Sequence, residues 1–186
     1  MRLIASVTIT ACLFLASCVS MGETPISTVP HVDLQRFMGA WYVIASIPTF
    51  LEKDAYDAVE SYSLNGDGTI ATTFTFHKGG FDGKLKTMRP KGFVLDHDSN
   101  ATWGMQFLWP FKAQYLIAYL DDAYSQTIVA RDSRDYVWIM ARTPTLDAAV
   151  YQALVDRVGR LGYDTAKLRR VPQQWPEPGP ASAPRP

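Results

Sequence analysis

The chain has 186 residues, with 18 basic and 18 acidic side chains, and its formal net charge is +0. That balance gives no electrostatic argument for a nucleic-acid partner. Two cysteines are too few for a disulfide-stapled scaffold, and the length suits one domain with a sizeable core held by burial.

Residues 1–17 carry a single charge, Arg2, then an apolar run to Leu15 and small residues. This is the pattern of a secretory signal, and it is too short to be a stable membrane-spanning helix. It ends Leu15-Ala16-Ser17-Cys18, which resembles the lipobox of bacterial lipoproteins. The resemblance implies cleavage before Cys18, a diacylglycerol on the Cys18 thiol, and an acyl chain such as palmitate on the new amino terminus. Val19 follows where an aspartate would retain the protein, which by the bacterial sorting pattern implies the outer membrane, lipid-anchored and on its periplasmic face. The residues alone leave open a plain signal peptide whose cleavage site holds a cysteine. Cys12 departs with the signal, so a lipidated mature chain has neither a free thiol nor a disulfide.

Residues 18–30, small, polar and proline-containing, read as a lipidated tether. Asp33 is placed to cap a short helical turn, "LQRFM", just before Gly39. Extended runs then follow at about 39–48, 56–64, 69–78, 87–97, 102–109, 113–121, 126–132 and 136–142. Their breaks carry turn chemistry: "NGDG" at 65–68, "KGGFDG" at 78–83, "DHDSN" at 96–100 and "DSRD" at 132–135. No helices interrupt these eight runs. The expected fold is all-β: an eight-stranded antiparallel up-and-down barrel, with a two-sheet sandwich as the alternative that spacing does not separate. The helix expected at 143–162 has Thr145 as candidate cap and Leu146, Val150, Leu154, Val158 and Leu161 on one face. That face is expected to pack on the outside of the barrel. The domain runs over 31–172, and residues 173–186 form a proline-rich tail that cannot bury apolar area.

The ordered motifs resemble those of the lipocalins, and closely the bacterial lipocalins related to apolipoprotein D. Gly39-Ala40-Trp41-Tyr42 resembles the first family motif. Leu120-Asp121-Asp122-Ala123-Tyr124 resembles the second, departing from the more usual Thr-Asp-Tyr. Asp135 through Pro144, "DYVWIMARTP", resembles the third. The resemblance covers about Asp33 to Val171. It implies that Trp41 plugs the closed end of the barrel with Arg142 across its ring, and that Gly39 and Asp121 are structural.

Strand parity then assigns the interior. Tyr136, Trp138 and Met140 share a face with Arg142. Trp103, Met105, Phe107 and Trp109 share another, as do Thr72, Phe74 and Phe76. Tyr62, Leu64, Val94, Tyr115 and Ile117 complete the set, and Glu60 falls on the Tyr62 face. On β-strand 39–48, Trp41, Val43, Ala45 and Ile47 fall on one side. The candidate ligand-binding residues are Tyr62, Phe74, Phe76, Val94, Met105, Phe107, Tyr115, Ile117, Tyr136, Trp138 and Met140. Such a lining suits an acyl chain, so the resemblance implies a carrier, store or scavenger of a fatty acid or lysophospholipid.

Catalytic patterns are not found in the sequence. His31, His77 and His97 lack metal-ligand spacing, and there is no Gly-x-Ser-x-Gly, phosphate loop or dinucleotide fingerprint. No metal or cofactor is expected. Two other readings stand beside the carrier: a structural envelope lipoprotein with a filled barrel, and a lipocalin-type enzyme. A homodimer is compatible with the sequence, which does not read out oligomeric state.

Overall fold

The computed structural model describes residues 24–174; the signal, Cys18 and most of the proline-rich tail lie outside them. The strands are β1 (Gly39–Ile47), β2 (Ala55–Leu64), β3 (Ile70–Lys78), β4 (Lys84–Met88), β5 (Lys91–Val94), β6 (Thr102–Leu108), β7 (Phe111–Leu120), β8 (Gln126–Ala130), β9 (Val137–Ala141) and the two-residue β10 (Arg169–Arg170). All pairings are antiparallel. From β1 to β9 each strand position pairs with the next, and β9 pairs back onto β1 with Tyr42 opposite Ala141 and Ile47 opposite Val137. That last pairing closes the sheet into a barrel and rules out the sandwich.

The count of eight positions holds because β4 and β5 share one. Both pair with β3. The expected single strand 87–97 instead begins at Lys84 and is broken at Arg89–Pro90, where proline offers no N–H to the ladder. β10 adds to the edge of β1, with Ala45 opposite Arg170.

Two apolar layers form, one inside the barrel and one outside. The inner layer includes Phe37, Trp41, Tyr62, Phe74, Trp103, Tyr115 and Met140. The outer one collects Ile44, Ala45, Ile47, Leu116, Ile128 and Ile139 beneath the helix α2 (Ala148–Arg160), whose Leu154 and Val158 are buried. This outer layer accounts for the strands without a polar face. Each of those helix side chains contributes roughly 1.5–3 kcal/mol through burial.

Bulges correct part of the parity reading. In β1 the register shifts between Val43 and Ala45. Trp41 and Val43 therefore stay inside, while Ala45 and Ile47, expected on the same side, turn to the helix layer. Another shift between Met105 and Leu108 precedes the β6–β7 turn. Trp109, expected inside, stands on that turn 80 % exposed. The helix also starts later than expected. Asp147 rather than Thr145 is its cap, its carboxylate accepting from Ala149 N at 2.8 Å. Asp33 does cap α1 (Leu34–Phe37), accepting from the amides of Gln35 and Arg36.

The amino-terminal stretch is fastened to the barrel. Ile26 N donates to Asp132 Oδ1 at 2.7 Å, Val29 N donates to Ile117 O at 2.9 Å, and Val32 is fully buried. Residues 24–30, counted above in the tether, thus lie along the wall.

Candidate functional site

The closed end is built first, because it sets the floor. Gly39 enters β1 at φ +92°, a left-handed conformation that glycine adopts without strain, and a Cβ there would meet the Arg142 guanidinium at 3.4 Å. Trp41 is fully buried, and its Nε1 donates to Phe37 O at 2.9 Å. The Arg142 guanidinium lies 3.8 Å from the indole centroid. It donates to the carbonyls of Ala40 (2.8 Å), Arg36 (2.8 Å), Phe37 (3.0 Å) and Tyr124 (3.2 Å). Asp121 orders the β7–β8 turn, its Oδ1 accepting from the Ser125 and Gln126 amides, both at 2.7 Å. The three motif segments therefore meet at one end of the barrel.

Above the plug, Phe37, Tyr62, Trp103 and Tyr115 form an aromatic layer with centroids 5.3–6.3 Å apart, the Trp103 and Tyr115 rings stacked at 9°. The Tyr62 and Tyr115 hydroxyls hydrogen-bond at 2.5 Å. This layer is filled. Above it the barrel opens into a cavity of about 300 Å³. That lies at the small end of ligand-sized cavities, which run from about 300 Å³ upward.

The cavity wall is made of Phe74 and Glu60 on β3 and β2, Met88 on β4, Met105 and Phe107 on β6, Ala113 to Tyr115 on β7, and Trp138 on β9. Tyr136 and Arg131, in the β8–β9 connection, and Thr49 to Glu52, between β1 and β2, form the mouth. Of the candidate ligand contacts, the structure brings Phe74, Met105, Phe107, Tyr115, Tyr136 and Trp138 together on this wall. Tyr62, Phe76, Val94, Ile117 and Met140 are buried in the same inner layer but do not line the cavity. Glu52, Met88 and Arg131 were not anticipated. Glu52 and Arg131 sit in loops, where no period marks a facing; Met88 precedes the Arg89–Pro90 break.

Two carboxyls face this apolar space. Glu52 is 8 % exposed and accepts from Trp138 Nε1 at 3.1 Å and Thr49 N at 3.3 Å. Burial raises its pKa against those donors. Glu60 sits opposite Trp41 on β1 and Phe74 on β3. Burial pushes its pKa up to about 7; the Tyr62 hydroxyl opposes this, and the charge of Glu52 adds to it. Among the described residues, no group of three His, Cys, Asp or Glu side chains is placed to hold a metal ion.

A rim of apolar side chains surrounds the mouth. Phe50 is 85 % exposed, and Leu51, Phe107, Leu108, Trp109 and Phe111 are each more than half exposed. These residues come from the β1–β2 loop and the β6–β7 hairpin, at the same end of the barrel.

The comparisons agree with this geometry. The family model for the lipocalin-like domain matches residues 32–173. Temperature-induced lipocalin-1 of Arabidopsis thaliana is 32 % identical over 171 residues, covering 86 % of this chain and 89 % of that one. The outer membrane lipoprotein Blc of Escherichia coli (strain K12) is 29 % identical over 177 residues, covering 93 % and 98 %. Among solved structures, insecticyanin from the tobacco hornworm Manduca sexta superposes with a TM-score of 0.63 at 17 % identity, covering 83 % of this chain and 86 % of that one, which shows the shared fold. With its closed eight-position barrel, Trp41–Arg142 plug and outer helix, the chain belongs to the lipocalin family, whose members are in general binders of small hydrophobic ligands.

Proposed function

We propose that this protein is a membrane-anchored lipid carrier, store or scavenger of the cell envelope, taking one single-chain lipid of the fatty acid or lysophospholipid class. The observation that carries the reading is an apolar cavity that opens through an exposed apolar rim. A barrel with a structural role alone has no use for either feature. One acyl chain matches one narrow barrel, and each buried methylene contributes about 0.8 kcal/mol. A dozen give micromolar affinity or better before ordering costs of several kcal/mol are counted. The anchor is read from Cys18, and relatives named outer membrane lipoproteins support the envelope as the location.

Ala113 lies on the wall opposite Met105. Ala113→Trp places an indole in the cavity without disturbing the plug. Fluorescence titration with a 12-carbon fatty acid and with lysophospholipid is expected to show at least a tenfold loss of affinity, with an unchanged circular dichroism spectrum. Native affinity in a natively folded Ala113→Trp protein would place the ligand outside the barrel and end the carrier reading.

A further inference from the structure

Three charged side chains reach the cavity: Glu52, Glu60 and Arg131. The guanidinium is already matched from the connecting loop, with Arg131 Nε 3.3 Å from Asp135 Oδ1. The carboxyls have no such match. Glu52 receives an indole N–H and a backbone N–H, and Glu60 faces the linked Tyr62 and Tyr115 hydroxyls; among the described residues neither forms an ion pair. The walls around them are Phe74, Met105 and Trp138. The net fixed charge of the interior is therefore negative, and the low-dielectric wall does little to screen it.

We propose that Glu60, supported by Glu52, sets the specificity of this cavity: it selects single-chain amphiphiles that bring a protonated amine or a hydroxyl, and it discriminates against the fatty-acid anion. The proposal rests on the carrier reading and narrows it. An incoming ammonium gains a charge-assisted hydrogen bond to a group that has no cation of its own. An incoming alcohol gains a neutral one. A carboxylate instead brings its own negative charge to a site that already holds two carboxyls, and it has no donor to offer either of them. Discrimination by a buried group that demands a hydrogen-bond partner exceeds what a missing methylene produces. The raised pKa of Glu60, about 7, fits a half-buried carboxyl set in an apolar wall, and at pH 8 the group is largely ionised. The other groups that bear on it are Glu52, Tyr62 and Tyr115; the two phenols are pushed up by burial and stay neutral there.

Isothermal titration at pH 8 of the soluble domain, residues 24–174, with dodecylamine, 1-dodecanol and laurate separates head group from chain. The amine is expected to bind at least tenfold tighter than laurate, with the alcohol between them. Glu60→Gln keeps the shape and removes the charge. It is expected to shrink the amine-to-laurate gap to about threefold or less while leaving the alcohol nearly unchanged. Glu60→Leu is the second variant, read the same way if the glutamine protein does not fold by circular dichroism. Laurate binding as tightly as the amine in the unaltered domain overturns the proposal. So does a gap that survives both substitutions. Failure of all three probes, the neutral alcohol included, removes the carrier reading itself and the proposal with it.

Discussion

At the scale of single residues, Trp41 and Arg142 show how a plug is held. The indole fills the closed end, and the guanidinium lies over it while its donors reach four backbone carbonyls. Trp41→Ala is expected to cost about 3–5 kcal/mol, because it leaves a cavity under the aromatic layer and strands the guanidinium. Urea melts showing a loss below about 1 kcal/mol would mean that the closed end relaxes around the gap. Glu60 gives a second residue-scale prediction, in pH. Its folded pKa lies near 7 against an ordinary value near 4.5. Between those values the folded state holds a proton that the unfolded chain has lost. Stability from this group is thus present below about pH 4.5 and declines as pH rises through about 7. Each tenfold difference in proton affinity between the two states corresponds to about 1.4 kcal/mol, so the decline is up to about 3.5 kcal/mol. Glu60→Gln is expected to be flatter over that window and more stable than the unaltered protein at pH 8. A Glu60→Gln protein with the same slope between pH 5 and pH 8 would assign the slope to other groups.

At the scale of elements, the periodic features were legible and the irregular ones were not. Two-residue alternation placed Trp138 and Met140 inside, and the structure, with no bulge within β9, turns the intervening Val137 and Ile139 to the helix layer. The same alternation failed beyond Val43 in β1 and at the end of β6, where register shifts add a residue that no sequence period announces. Proline at 90 was visible, but a strand that resumes on the same ladder after a break looks, in sequence, like one strand with an error. The mouth of the cavity was the least legible part, since Thr49 to Glu52 and Arg131 owe their places to loop geometry. At α2 the cap was misplaced by two residues, because both Thr145 and Asp147 are good cap residues and only the chain path decides. The distinction is measurable. Asp147→Ala is expected to cost about 1 kcal/mol and Thr145→Ala less than about 0.5 kcal/mol, each by denaturant titration. A larger cost at Thr145 would move the cap.

At the scale of the whole molecule, the path of the amino-terminal segment sets which end of the barrel an anchor at Cys18 would hold to a membrane. From the closed end at Val32 the chain runs along the wall to Ile26, bonded to Asp132, and to Thr24, whose carbonyl accepts from Arg134. Asp132 and Arg134 belong to the β8–β9 connection at the cavity mouth, so the segment leaves the barrel beside the rim. Thr24 lies six positions after Cys18, a span of at most about 20 Å when extended. An acyl anchor at Cys18 would therefore hold the mouth, and not the plug, next to the bilayer. Lys53 and Lys112 are exposed and lie close in the chain to the rim residues Leu51 and Phe111, cations of a kind suited to lipid head groups. Cys18→Ser is expected to release the folded protein from membranes, and membrane fractionation that still finds it bound would refute anchoring through that thiol. The rim itself is tested in the soluble domain, where the anchor plays no part. Leu108, Trp109 and Phe111 protrude without covering any core and stand outside the cavity wall, so the triple change to serine leaves that wall intact. Uptake of a lysophospholipid from vesicles is expected to slow by tenfold or more, since each lost side chain removes roughly 1.5–3 kcal/mol of potential burial in the interface. Affinity for the same lipid presented as monomers in water is expected to stay within about twofold, because a rim acts on access and not on the bound state. Equal slowing of both would mean that the rim residues fold over the ligand; unchanged vesicle uptake would mean that the mouth does not enter the bilayer surface.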